Sequence, residues 1–147
     1  MKGYLDAPEQ TAEAVIELDG QRWYKTGDKG HLDADGFLTI VDRYSRFAKL
    51  GGEMISLSAV EDQARRSLGR PDLELAAINL PDPRKGERIL LLVADAIDPD
   101  TLCKRLLESG LNPLAIPSEI IQVETIPKLG SGKTDVAAVK RLAAGLG

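Results

Sequence analysis

The sequence predicts an α+β fold, and three observations carry that prediction. Short apolar runs bounded by Gly, Pro and Asp read as strands in both halves of the chain. Three stretches from residue 59 onward combine helical spacing with start and stop signals. The two kinds of element do not alternate strictly as strand–helix–strand, which argues against a wholly parallel sheet. The sequence contains no internal repeat and no low-complexity segment.

Residues 14–18 (Ala-Val-Ile-Glu-Leu) read as a strand closed by the Asp19-Gly20 turn. Trp23-Tyr24 follow, then a tight Thr26-Gly27-Asp28. His31-Leu32 and residues 37–41 flank Asp33-Ala34-Asp35-Gly36, and an Asp-Gly turn between apolar runs signals a hairpin. The polar stretch 42–46 after that hairpin is a candidate joint between domains. Ser58-Ala59-Val60-Glu61 has the form of a capping box. Leu57, Val60, Ala64 and Leu68 keep near-helical spacing, so a helix is expected over 59–68. The runs 75–80 and 89–94 read as strands joined by a charged turn, 81–87. Asp98-Pro99 opens a second helix with Pro in its first turn, and Ser109-Gly110 closes it. A short strand at 118–123 follows Pro117. A last helix starts at Thr134 or Asp135 and ends at Ala144.

Composition excludes several classes of function. The chain has 147 residues, 43% of them hydrophobic and 29% charged, which is ordinary globular composition. No uncharged apolar stretch approaches the roughly 18 residues of a membrane span. No secretory signal is visible. The lone Cys103 cannot form an internal disulfide, and it has no nearby base to activate it. Nineteen basic against 23 acidic residues give a net charge of −4, and aromatic residues make up only 4%. Both weigh against a nucleic-acid partner. His31 is the only histidine and has no Cys or His at ligand spacing, so it reads as packed or solvated and no metal site is expected. The length is small for a complete catalytic machine.

Three segments invite chemistry. A Thr26-Gly27-Asp28 turn puts a carboxylate on a rigid loop, where its oxygens can take two neighbouring hydroxyls, as on a ribose. An ordinary turn with a solvated Asp is the plainer alternative. The paired glycines of Lys49-Leu50-Gly51-Gly52-Glu53 let backbone approach something closely, either a ligand or another strand. A structural bend is the plainer alternative there. Gly130-Ser131-Gly132-Lys133 before a helix suggests phosphate chemistry, with Lys133 as a mobile point charge. It is not a Walker A loop, because the position that must be Gly is Pro127. A flexible linker with a solvated lysine is the alternative.

Taken in order, these segments resemble the acyl-adenylate-forming superfamily of acyl-CoA synthetases, peptide-synthetase adenylation domains and luciferases. Met1-Lys2-Gly3-Tyr4 with Pro8-Glu9 and Thr11 looks like the superfamily's Met-x-Gly-Tyr…Pro-Glu-x-Thr segment. Tyr24-Lys25-Thr26-Gly27-Asp28 looks like its Tyr-Arg-Thr-Gly-Asp segment. Asp42-Arg43 through Gly52 looks like the Gly-Arg-x-Asp…Gly segment at the joint between its large and small domains. Pro127-Lys128 through Lys133 looks like the terminal Pro-Lys-Thr-x-Ser-Gly-Lys segment. The resemblance covers essentially the whole chain, but only the C-terminal part of a family member. Within the superfamily, residues 46–57 and the Gly130–Lys133 loop look most like the acyl–acyl-carrier-protein synthetase half of the bifunctional 2-acylglycerophosphoethanolamine acyltransferases of bacteria.

The resemblance implies that residues 1–42 are the β-rich end of the large domain and 43–147 the small mobile C-terminal domain, a short sheet flanked by helices. It implies ATP-dependent formation of an acyl-AMP from a fatty acid, then thioester transfer to the phosphopantetheine of an acyl carrier protein, in a bifunctional lysophospholipid acyltransferase. An acyl-CoA ligase or an amino-acid adenylation domain is the alternative within the class, and a non-catalytic carrier-protein docking module is the alternative from another class. Asp28 would hold the ribose hydroxyls, Arg43 would sit by ribose and phosphate, and Lys133 would bridge the carboxylate and the α-phosphate. Lys49 aligns with a lysine that luciferases use in their second half-reaction. Gly52 would line the approach of the pantetheine thiol, and Ser45 stands at the hinge. ATP and Mg²⁺ would be bound mainly by an upstream part of the same polypeptide, so this fragment alone is expected to be inactive. The expected location is the cytoplasm or, through the rest of the parent, the cytoplasmic face of the inner membrane. Four positions depart from the family pattern: Ser45 replaces the usual Asp or Lys of the hinge, Asp42 a Gly, Leu129 a Thr, and Asp135 the Arg after the final Lys. Any docking of an acidic carrier protein to this acidic chain would use a local cationic patch, for which Arg43, Arg46 and Lys49 are the candidates.

Overall fold

The computed structural model describes residues 1–146, and they form two units, Met1–Ser45 and a second that begins at Arg46. The first unit is built of ribbons. Helix α1 (Pro8–Ala14) is not expected from the sequence. It has Pro8 in its first turn, while Ala7 at its N-cap offers no side-chain acceptor. Strand β1 (Val15–Leu18) pairs antiparallel with β2 (Gln21–Tyr24). Their turn places Asp19 at φ 53° and Gly20 at φ 71°, the double positive φ of a two-residue hairpin. Strand β3 (Asp28–Leu32) pairs antiparallel with β4 (Leu38–Arg43), with a register shift between Lys29 and Gly30. The Asp33 carboxylate closes the expected turn by accepting from the amides of Asp35 (3.0 Å) and Phe37 (2.9 Å). None of residues 1–45 is buried, and large apolar side chains lie open, Trp23 at 53% and Phe37 at 72% exposure.

The second unit holds the core. Strands β5 (Phe47–Leu50) and β6 (Glu53–Ser56) form a hairpin that leads into helix α2 (Leu57–Leu68). Strand β7 (Leu75–Asp82) pairs antiparallel with β8 (Gly86–Val93). Helix α3 (Pro99–Glu108) supplies the crossover that lets strand β9 (Glu119–Gln122) pair parallel to β8. Helix α4 (Val136–Ala144) follows. The sheet order is β7-β8-β9.

Both faces of this sheet are dry. Ile89, Leu91 and Val93 point to the side that carries Val60 and Ala64 of α2, Leu102 and Leu106 of α3, and Ala48 and Leu50 of β5. Leu90 and Leu92 point to the other side, onto Ala76, Ile78 and Ile126 and onto Val139 and Ala143 of α4. Double burial explains why the 89–93 run is uniformly apolar rather than alternating.

Helix starts follow side-chain acceptors. Asp98 caps α3, accepting from the Thr101 amide at 3.2 Å, and Asp135 caps α4, accepting from the Ala138 amide at 2.9 Å. The capping box expected at Ser58 and Glu61 is not formed. The cap is Ser56, whose Oγ accepts from the Ala59 amide at 3.2 Å. Starting there puts Leu57, fully buried, on the same helical face as Val60 and Ala64. Glu61 is thereby free to turn to Arg46 and Ala77. Among the described residues, no helix is long and apolar enough to cross a membrane.

Leu91→Ala removes atoms from the centre of the larger cluster, where three elements close over them. It is expected to lower stability by about 2–5 kcal/mol in urea unfolding. Acid sensitivity follows from carboxylates that lie below their ordinary value. The Thr101 hydroxyl and amide hold Asp98 down, the Arg70 guanidinium holds Asp95 down, and the Lys85 and Arg84 amides hold Asp82 down. A lowered folded pKa stabilises above the unfolded carboxylate value and loses that stabilisation as pH falls through the folded one. The urea midpoint is therefore expected to be flat near neutrality and to fall below about pH 4, with Asp98→Asn reducing the slope of that fall.

Candidate functional site

The expected site residues fall in both units, Asp28, Arg43 and Ser45 in the first and Lys49, Gly52 and Lys133 in the second. In the first unit, the β3–β4 register sets Asp28 opposite Arg43, and their side chains join, Arg43 Nε to Asp28 Oδ1 at 3.2 Å. Asp28 is 25% exposed and Arg43 69%. The loop before Asp28 is fixed from both sides. Thr26 Oγ1 accepts from the Asp28 amide at 3.1 Å, and Gly27 O accepts from the Tyr44 amide at 2.8 Å. Gly27 sits at φ 75°, a conformation that favours glycine. Arg43 engages Asp28 through Nε, and its two terminal nitrogens carry no partner among the described residues. The pair thus presents an acceptor and a planar donor fork side by side. Asp42, in place of the family's glycine, takes the Arg43 amide at 2.7 Å on Oδ1, while its Oδ2 is buried and makes no hydrogen bond among the described residues.

In the second unit, Lys49 lies on β5 with its side chain exposed. Its amide is held by the Glu87 carboxylate. Glu87 accepts from Asn79 Nδ2 at 2.7 Å, and Asn79 Oδ1 accepts from Lys140 Nζ at 2.7 Å. That chain of bonds ties the strand under Lys49 to α4 across β8 and β7. Gly51 and Gly52 form the β5–β6 turn at φ 57° and 89°. Both values call for glycine in a two-residue hairpin. A Cβ on Gly52 would meet nothing within 4 Å, so the turn itself demands this glycine inside the unit. The paired glycines therefore belong to a strand-to-strand turn.

Lys133 occupies a closed loop rather than a flexible linker. The Leu129 amide donates to Lys133 O and the Gly132 amide to Leu129 O, both at 2.8 Å. Lys128 and Thr134 form an antiparallel bridge, and the Asp135 amide donates to Pro127 O at 2.9 Å before α4 begins. Lys128 is paired with Glu74, whereas the Lys133 ammonium has no partner among the described residues. The loop holds its lysine at a fixed root and leaves the charge free.

Arg46, a candidate docking cation from the sequence, is not available for docking. It is 15% exposed and bound to Glu61 at 2.7 Å. Sequence reading also misses the Tyr4–Tyr24 hydroxyl pair at 3.0 Å, which pushes the Tyr4 phenol up, and the acceptance of the Tyr4 amide by Thr11. Gly3 has its own reason there, since a Cβ would stand 2.9 Å from the Thr11 methyl. Among the described residues, no group of three or more His, Cys, Asp or Glu could hold a metal ion.

No protein-family model matches the chain. Curated relatives and solved structures do. The phenyloxazoline synthase MbtB of a Mycobacterium species is 34% identical over 141 residues, 94% of this chain and 12% of its own length. A feruloyl-CoA synthase of an Amycolatopsis species is 36% identical over 146 residues, 96% of this chain and 28% of its own length. The Bacillus subtilis O-succinylbenzoate coenzyme A synthetase solved with AMP is 27% identical, covering 95% of this chain and 28% of that one, with a TM-score of 0.70. These homologues are AMP-binding members of the acyl-adenylate-forming superfamily, and the α+β fold matches the C-terminal domain of such enzymes. The chain spans 12% to 28% of the length of these relatives.

Gly52→Ala forces a left-handed φ on a residue with a Cβ. It is expected to cost about 1–2 kcal/mol in denaturant unfolding, with the loss concentrated in β5–β6 amide protection.

Proposed function

We propose that this chain is the C-terminal part of an ATP-dependent acid–thiol ligase that works through an acyl-adenylate. The observation that carries the reading is the Asp28–Arg43 pair. Two residues from separate motifs meet at 3.2 Å across one ribbon, and together they offer what a nucleotide sugar and phosphate require. In the first half-reaction, a carboxylate oxygen attacks the α-phosphorus of ATP, and pyrophosphate leaves with the electrons of the α–β bridge. In the second, a thiol sulfur attacks the acyl carbon, loses its proton, and AMP departs. Asp28 accepts from the ribose hydroxyls. Arg43, braced on Asp28, turns its free nitrogens to the phosphate side. Lys133 neutralises charge on the carboxylate and the α-phosphate as the bond forms. Lys49 and Gly52 act in the second half-reaction, Lys49 as a cation near the incoming thiol. Ser45 is the hinge between a large-domain end and a small mobile domain.

The residues present suit a nucleotide ribose and phosphate. Among the described residues they offer no cluster for Mg²⁺, which this reading leaves to other parts of the parent. The exposed large apolar side chains of the first unit, Trp23, Leu32 and Phe37 among them, agree with the same division, because a neighbouring body that covered them would remove that apolar area from water. We assign a fatty acid as the acid and an acyl carrier protein as the acceptor, on the likeness of residues 46–57 and the Gly130–Lys133 loop to acyl–acyl-carrier-protein synthetases. Coenzyme A is the second reading for the acceptor, favoured by the relatives whose names contain it.

Lys133→Ala in the full-length parent is expected to lower ATP–pyrophosphate exchange about 10²- to 10³-fold. The same variant is expected to keep thioester formation from preformed acyl-AMP. An unchanged exchange rate would overturn the assignment. The 147-residue chain alone is expected to give no exchange above a buffer blank. The ratio of kcat/KM for holo-carrier protein over coenzyme A decides the acceptor.

A further inference from the structure

Lys49 sits where the β5–β6 hairpin leaves backbone groups unanswered. The two-residue turn pairs Leu50 with Glu53, so the next pair, Lys49 and Met54, turns its amides and carbonyls out of the ladder. The outward amide of Lys49 is taken by the Glu87 carboxylate of β8. Its carbonyl faces Gly86, where a Cβ would stand 3.7 Å away. Glu87 Oε1 accepts from Asn79 Nδ2 of β7, and Asn79 Oδ1 accepts from Lys140 Nζ of α4, both at 2.7 Å. The two ends fix the sense of this chain, because an ammonium only donates and a carboxylate only accepts. Asn79 must turn its oxygen to Lys140 and its nitrogen to Glu87. Glu87 then has its other oxygen for the Lys49 amide. Asn79, Glu87 and Lys140 are each half-buried, where a donor facing a donor is costly.

We propose that Glu87 is the positioning residue for Lys49, held by Asn79 and Lys140 in the one orientation that serves. The root of the Lys49 side chain is set by a directed chain of bonds that starts on α4 and ends at the Lys49 amide. Glu87 itself touches no substrate in this role, which rests on the reading of Lys49 as the cation of thioester transfer. All four residues belong to the second unit. Glu87→Gln breaks the sense of the chain, because the new amide accepts at one end and donates at the other. With its oxygen on the Lys49 amide, its nitrogen meets the Asn79 nitrogen. Turning Asn79 over relieves that conflict and creates another, its nitrogen against the Lys140 ammonium. Adding Lys140→Gln removes the second conflict, since an amide can accept where an ammonium cannot. The double variant therefore restores every bond, with the direction reversed between positions 87 and 140.

Two measurements test this. The first is amide exchange in the full 147-residue chain, unaltered and with Glu87→Gln, Lys140→Gln or both. Glu87→Gln is expected to speed exchange of the Lys49 amide at least about tenfold. Lys140→Gln keeps a donor for Asn79 and should leave that amide within about threefold of the unaltered chain, and the double variant should return it to the same range. The double variant lacks the same carboxylate, so its protection reports the bond and not the charge. A double variant as fast as Glu87→Gln alone would overturn the assignment. So would a rise of equal size at Lys49 and across the β7–β8 ladder, which would make Glu87 a contributor to general stability only. The second measurement is thioester formation from preformed acyl-AMP in the full-length parent, with Lys49→Ala added to the set. Transfer should fall about tenfold in Glu87→Gln and recover in the double variant, while ATP–pyrophosphate exchange stays within about twofold throughout. Transfer unchanged in Glu87→Gln but lowered by Lys49→Ala overturns the positioning role and leaves the reading of Lys49 intact. Transfer unchanged in Lys49→Ala overturns that reading itself, and the positioning role with it.

Discussion

Strand β8 faces two ways, with Ile89, Leu91 and Val93 on one side and Leu90 and Leu92 on the other, and none of the five is more than 1% exposed. That double burial requires cover on both sides. Helices α2 and α3 with β5 provide it on one face, and α4 on the other. Several of the covering elements also carry or adjoin a proposed site residue. Strand β5 bears Lys49, the β5–β6 turn holds Gly52, and the closed loop with Lys133 runs directly into α4. The sheet is therefore the frame on which these groups are held. A change in its packing would be felt at both places, because interiors at crystal-like density transmit displacement. The bonds from the Lys49 amide through Glu87 and Asn79 to Lys140 cross the same sheet and bind its two covers together.

The first unit has no such frame. Its two ribbons are held by ladder hydrogen bonds and by side chains that cap its turns, with no residue buried. Two-stranded ribbons of four to six residues are marginal on their own. Yet the local geometry around Asp28 is closely specified: Thr26 holds the Asp28 amide, Gly27 turns the chain, and the β4 register delivers Arg43. A site can be locally well defined in its bonding while its ribbon depends on apolar contacts made elsewhere. Trp23, Phe37 and Ile40, each more than half exposed, are the side chains that such contacts would use.

How much is legible in the sequence depends on the range of the interactions. The β3–β4 hairpin is legible because Asp33 and Gly36 settle that turn between neighbours in the chain. Helix α3 is legible because Asp98, Pro99 and Gly110 mark both ends. The β7–β8 pair is legible as apolar runs, although its two-sided burial is not. The hairpin β5–β6 is obscure because each strand has only four residues and Lys49 interrupts the apolar pattern. Gly51-Gly52, adjacent and between short apolar runs, is the available signal for it. The start of α2 is misplaced by the capping-box pattern because two serines compete for the cap, and burial of Leu57 decides between them. Leu57 at the head of the periodic series already points to Ser56. Arg46 cannot be read locally at all, since its acceptors lie 12 to 31 residues away. Of the candidate site, the motif residues are legible singly. Only the register of β3 on β4 shows that Asp28 and Arg43 touch.

The distribution of charge gives these residues their meaning. Lys128 is paired with Glu74, Arg70 with Asp95, and Arg88 with Glu119, so cations around the core are answered by carboxylates. Among the described residues the ammonium groups of Lys49 and Lys133 are not, and neither are those of Lys2, Lys25 and Lys85, in a chain whose net charge is −4. An exposed lysine gains little from a surface ion pair, because holding two long side chains in one geometry costs side-chain entropy. What sets Lys133 apart is its mounting. The loop is closed by three backbone bonds, two of which make the Lys128–Thr134 bridge, and Gly132 at φ 81° completes its turn. In the proposed reading, the anion that meets this cation is brought from outside the chain. When that anion is a phosphate, the charge can follow it as negative charge shifts toward the leaving group, with little reorganisation of the protein around it.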